Sequence, residues 1–162
     1  ILGATASIAF AKTQARVAAG KCPSISILTD ATRITQMEGE KIDLKAEIRD
    51  PAWSSSVAGG TASSKLSFWV KSAIAPTSEV APRTVPYFVA IIANGEVIAK
   101  EVFDLKLNFT NDRMLKVKES VAKIDIPIAK GTEAQDYGVT IGFQLTEAQA
   151  AYNRTASEIR RE

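Results

Sequence analysis

The chain has 162 residues, 46% hydrophobic and 23% charged, the balance of one globular domain long enough to bury a core and too apolar to stay disordered. Its 20 basic and 18 acidic side chains leave a formal charge of +2 and are spread along the sequence, which predicts no basic stripe of the kind that neutralises phosphates and argues against a nucleic-acid partner. With no histidine and the single cysteine Cys22, the commonest general base, the commonest metal ligand and any intrachain disulfide are excluded.

Residues 1–11, ILGATASIAFA, form a continuous small and apolar run followed by the polar KTQAR. The run is too short to span a bilayer, which needs roughly 20 residues, and Ala9-Phe10-Ala11 fits the small-x-small pattern of a signal peptidase site. Residues 1–21 therefore read as an export-signal remnant or a membrane anchor plus linker, with a buried N-terminal helix as the alternative. Residues 22–162 read as a single domain. Cys22, after Ala19-Gly20-Lys21, is a candidate lipid-attachment residue, although lipidation favours a small residue where Lys21 stands. The alternative is a cysteine beside Pro23 at the entrance to the first strand.

From Pro23 the chain is punctuated at the spacing of an all-β domain. SISIL at 24–28 alternates, Asp30 to Arg33 forms a turn before a strand to Met37, and Glu38-Gly39-Glu40 breaks the chain. Ile42, Leu44, Ala46 and Ile48 alternate with charged residues in a half-buried strand that Asp50-Pro51 should end. WSSSVAGGTASS at 53–64 reads as a mobile loop. A strand resumes over 65–74, and residues 75–86, with three prolines, read as an irregular connection.

The strongest local signal is PYFVAIIANGEVIAKEVFDLKLNF at 86–109, two strands joined by Asn94-Gly95, whose positive φ angles suit a type I′ turn. A two-residue loop predicts Ile92 opposite Val97, Ala90 opposite Ala99 and Phe88 opposite Glu101 on one face, with Ile91 opposite Ile98 and Val89 opposite Lys100 on the other. Ile124, Ile126 and Ile128 should point inward from a strand that Pro127 marks as an edge, and Val139, Ile141, Phe143 and Leu145 form the last strand. The predicted core comprises Phe88, Ile92, Phe103, Leu105, Ile126, Ile141 and Phe143. Thr146-Glu147-Ala148-Gln149 is a capping-box pattern that opens a helix through about residue 160. About seven or eight strands without helical crossovers predict an antiparallel immunoglobulin/fibronectin-like β-sandwich with a short C-terminal helix.

Together CPSISILTDATRITQM, PYFVAIIANGEVIAKEVFDLKLNF and YGVTIGFQLTEAQAAYNR resemble small cell-envelope lipoproteins of alphaproteobacteria, over residues 22–154. The resemblance implies export and attachment to a membrane, and therefore a periplasmic, membrane-anchored or membrane-associated location. It carries no catalytic residue.

Chemistry is sparse. Without histidine a serine nucleophile would need Lys, Asp or Glu as its base, and the composition of the serine-rich loop already explains Ser54 to Ser56 and Ser63-Ser64. Asp43, Glu47 and Asp125 read as solvated strand faces, while Asp104, Asp112 and Asp136 have no metal-binding spacing. Gly59-Gly60 lacks the context of a phosphate loop. No enzyme activity, cofactor, metal or small-molecule substrate is predicted. Trp53, Trp69, Tyr152 and Arg154 are the candidate interaction residues, since exposed Trp, Tyr and Arg favour binding hot spots; a satellite core is the alternative for the aromatics. The expected function is a non-catalytic accessory or interaction subunit of a bacterial membrane or envelope complex, with a protein partner, tethered by its N-terminus. The alternative is a free-standing periplasmic binding module or envelope lipoprotein for a ligand or client protein.

Overall fold

Asn94 and Gly95 take φ values of 52° and 77°, the two positive angles that a type I′ turn requires, and they join strands β6 (Arg83–Ala93) and β7 (Glu96–Leu107). Ile92 lies opposite Val97 as the turn dictates, but the register then shifts, so that Ile91 faces Ala99, Ala90 faces Lys100, Val89 faces Glu101 and Phe88 faces Val102. The other four pairs predicted from the turn are therefore each off by one residue. A bulge of this kind leaves one residue of a strand unpaired, here Ile98. Beyond it Phe103 and Leu105 share a face with Tyr87 and Val85 instead of with Phe88.

A computed structural model of the chain describes the backbone of Thr5–Ile8 and of residues 22–161, with side chains over 22–156. Besides β6 and β7 it contains β1 (Thr5–Ile8), β2 (Ser24–Ile27), β3 (Arg33–Glu38), β4 (Lys41–Ala58), β5 (Thr61–Ile74), β8 (Met114–Pro127), β9 (Tyr137–Phe143) and the helix α1 (Glu147–Arg161). They form an all-β sandwich of immunoglobulin/fibronectin-like type, with one sheet ordered β1-β8-β5-β4-β3 and the other β2-β9-β6-β7. Pairing is antiparallel except that β1 runs parallel to β8 and β2 parallel to β9. The predicted export or anchor segment thus has four residues paired, through their backbone, to a sheet edge. The rest of residues 1–21 lies outside the described residues.

The 53–64 segment corrects the sequence reading. β4 does not end at Asp50-Pro51; Asp50 adopts φ 49° at a bulge between Arg49 and Ala52, after which the strand pairs with β5 as far as Ala58 opposite Thr61. The expected mobile loop is a hairpin, because alternation places Trp53 and Val57 on the core while Ser54 and Ser56 stay outside. Cross-strand partners override a Ser/Gly-rich composition that by itself favours a loop.

The core lies between the sheets. β6 contributes Val85, Tyr87, Val89 and Ile91, all fully buried, against Leu66, Phe68, Val121 and Ile124 of the facing sheet. Leu105, Ile126, Ile141 and Phe143 are buried as predicted. Ile92 and Phe103 are only half-buried, and Phe88 is buried on the outside of its sheet in a small cluster with Ala31 and Ala90. A polar contact crosses the core: the Tyr87 hydroxyl donates to Oε2 of Glu119 at 2.7 Å, both residues being buried. The Tyr87 ring meets Phe68 edge-on, with centroids 5.2 Å apart.

Phe88 covers Gly142 of β9. A Cβ there would lie 2.8 Å from Ala31 Cβ and 3.0 Å from the Phe88 ring, inside van der Waals contact. Gly142→Ala should therefore cost about 1–3 kcal/mol through overpacking, read as a lowered urea midpoint. An unchanged midpoint would show that Phe88 does not pack on β9.

Candidate docking surface

The capping box opens α1 as its sequence predicts: the Thr146 N–H donates to Gln149 Oε1 at 2.9 Å and the Gln149 N–H to Thr146 Oγ1 at 3.1 Å. One turn on, Asn153 Nδ2 donates to the carbonyls of Asp30 and Arg33 at 3.1 and 2.7 Å. These bonds fix the helix at the start of β3, where it forms one wall of a groove of about 730 Å³ over the outer face of the five-stranded sheet.

The register makes the floor of the groove legible. Thr35, Lys45, Ala73 and Met114 lie in one row across β3, β4, β5 and β8, and Arg33, Glu47, Lys71 and Lys116 in the next. A third row, Arg49, Trp69 and Lys118, continues the face beyond the groove. The wall supplies Tyr152, Asn153 and Ala156. Two large apolar side chains open onto this space, Met114 at 62% and Tyr152 at 39% exposure.

Charge on this face is unbalanced. Glu47 accepts from both Arg33 and Arg49 at 2.9 Å; burial alone would raise its carboxyl, but the two arginines more than offset this and hold it below the usual carboxylate range. Lys45, Lys71, Lys116 and Lys118 make no ion pair among the described residues. Lys116 and Lys118 instead sit over the Trp69 ring, 4.9 and 5.9 Å from its centroid. Away from this face, Arg83 clasps Asp43 with two bonds of 2.7 and 2.9 Å. That hydrogen bonding, opposed by burial, lowers the Asp43 carboxyl. Arg83 also bonds the carbonyls of Glu79 and Ala81, which pins the proline-rich connection in place.

The predicted interaction residues separate. Tyr152 lines the groove and Trp69 lies beside it on the same sheet face. Trp53 is half-buried against the core and donates from Nε1 to the Pro23 carbonyl at 3.2 Å, the satellite-core alternative. Arg154 is exposed on α1 outside the groove lining. Cys22 is exposed and its thiol lies 3.5 Å from the Ser55 carbonyl. The serines of the β4–β5 hairpin line a second depression of about 500 Å³, where Ser55 bonds Ser64 at 2.8 Å and Ser63 donates to Asp125 at 3.0 Å.

No family model, no curated protein and no solved structure matches the chain. Among the described residues no cluster of three His, Cys, Asp or Glu could hold a metal, and no helix is long and apolar enough to cross a membrane.

Scanning for consecutive basic residues misses this face. Its signal is the alternation Lys45-x-Glu47-x-Arg49, Trp69-x-Lys71 and Lys116-x-Lys118, which puts each set on one side of its strand. Only the sheet order brings the three strands together.

Proposed function

We propose that the chain is a non-catalytic interaction subunit of a bacterial membrane or envelope complex, tethered through its N-terminal segment with the sandwich in the periplasm, and that α1 and the outer face of β3, β4 and β5 form its docking surface. The observation that carries this reading is the groove itself. It presents Met114 and Tyr152 as exposed apolar contacts beside a polar floor, and it is backed by the paired strands β3, β4, β5 and β8. An apolar anchor set in a polar rim is the anatomy of a protein interface, and an open trough suits a chain segment better than an enclosed small molecule. The resemblance to envelope lipoproteins supplies the location in this reading.

The test is site-specific photo-crosslinking in the native host. A photoreactive residue at Met114 should give a discrete adduct with one protein, whereas the same residue at Val97, at the far tip of the other sheet, should give none. Equal labelling at both positions, or none at Met114, would remove the groove from the interface.

A further inference from the structure

We infer that the groove and the lysine rows beside it receive an acidic, extended segment of the protein partner; this rests on the docking reading above and names the chemistry of its ligand. Three observations carry it. First, Lys71 and Lys116 are directly opposed across β5 and β8, and Lys118 follows on the same side of β8. Like charges placed opposite each other destabilise a sheet, and the carboxylate opposite Lys71 on its other side, Glu47 of β4, is shared with Arg33 and Arg49. Second, the Trp69 ring holds Lys116 and Lys118 over itself. A cation held on an aromatic face keeps its ammonium at a fixed place on the surface instead of letting it sweep through solvent. Third, among the described residues the only carboxylate in these rows, Glu47, is already taken by two arginines, and the lysines have no ion-pair partner there.

The shape selects among anions. Cations stand about 5 Å apart across the strands and about 7 Å apart along them, the second being the repeat of alternate side chains in an extended chain. Such a chain, with acidic residues at alternate positions, can set its carboxylates on the lysines of the floor, while its intervening apolar side chains face away from the sheet, on the side of the α1 wall that carries Tyr152. A flat lipid surface would meet α1 first, because the helix stands as a wall above the sheet.

The test uses the full chain and a fluorescein-labelled peptide of alternating Glu and Leu, with an alternating Lys and Leu peptide as control, followed by anisotropy. The acidic peptide should bind and the basic one should not. Binding should weaken about tenfold or more when both Lys71→Glu and Lys116→Glu are present, and again when salt is raised from about 50 to about 300 mM. Tyr152→Ala should weaken it as well. All three residues are exposed at the surface, and an unchanged circular dichroism spectrum confirms that each variant folds.

Vesicles of phosphatidylcholine with about one-third phosphatidylglycerol form the second arm. Tighter binding to these vesicles, undiminished by Tyr152→Ala, would assign the face to a lipid surface and overturn the inference. So would acidic-peptide binding that neither the lysine reversals nor salt affects. Failure of the inference is distinguishable from failure of the docking reading: a Met114 adduct whose yield ignores the lysine reversals keeps the interface and removes its acidic ligand, whereas a missing adduct removes the interface.

Discussion

Phe143→Ala should lower the free energy of unfolding by about 3–5 kcal/mol, whereas Phe103→Ala should cost clearly less. Phe143 is 1% exposed on a central strand of its sheet, with β6 on one side and β2 on the other. Removing its ring leaves a cavity in the core beside Tyr87, its cross-strand partner on β6, which the ladder holds in place. Phe103 lies on the edge strand β7, half-buried, with its ring 5.3 Å from that of Tyr87. An edge strand can shift inward, and part of the ring already meets water. Urea denaturation of the two variants side by side checks the ordering, and equal losses would mean that the edge is packed as tightly as the centre.

Tyr87→Phe should cost about 1.5–3 kcal/mol, the range for a hydrogen bond to a charged group. It removes the hydroxyl that donates to Glu119 at 2.7 Å between two buried residues and keeps the ring that packs on Phe68. The same pair sets an alkaline limit. Burial first, and then the hydrogen bond and charge of Glu119, raise the Tyr87 phenol well above the ordinary range. An unfolded tyrosine ionises near pH 10, at about its model value. The stabilisation is therefore complete below about pH 10 and is lost as pH rises beyond it. Wild-type stability should fall more steeply above that pH than the stability of Tyr87→Phe. Parallel curves would show that Tyr87 ionises as easily folded as unfolded.

What the sequence made legible was whatever local chemistry decides. Asn94-Gly95, the Thr146 capping box and the alternation of 42–48 each act within a few residues, and each appears in the structure as read. The face of β6 was not legible, because 86–92 is apolar on both sides and either side could serve a core. A single bulge near Ile98 settled the matter by turning Phe103 and Leu105 toward the side of Tyr87. Phe88 and Ile92 then fell outside, where Ala31 and Leu145 cover them. The hairpin through Trp53 was hidden by its serines, whose preference for loops is weaker than two partner strands. The docking face was hidden for a different reason. Its cations come from strands separated by dozens of residues, so only the order β8-β5-β4-β3 makes them neighbours. Even so, Tyr152, beside Arg154 on the helix, and Trp69, next to Phe68 on a strand where one of the two must face outward, were both identifiable from sequence.

The central claim is that this face holds a partner, and the most direct measurement is co-purification from the native host in mild detergent, with the full chain compared to a Met114→Ala/Tyr152→Ala variant. Both substituted side chains are exposed, so the fold should stand. The wild-type chain should elute in a complex with a defined protein and the variant should elute free, with the same circular dichroism spectrum. A wild-type chain that elutes as a free monomer under these conditions, or a variant that keeps the same partner in the same amount, would contradict it.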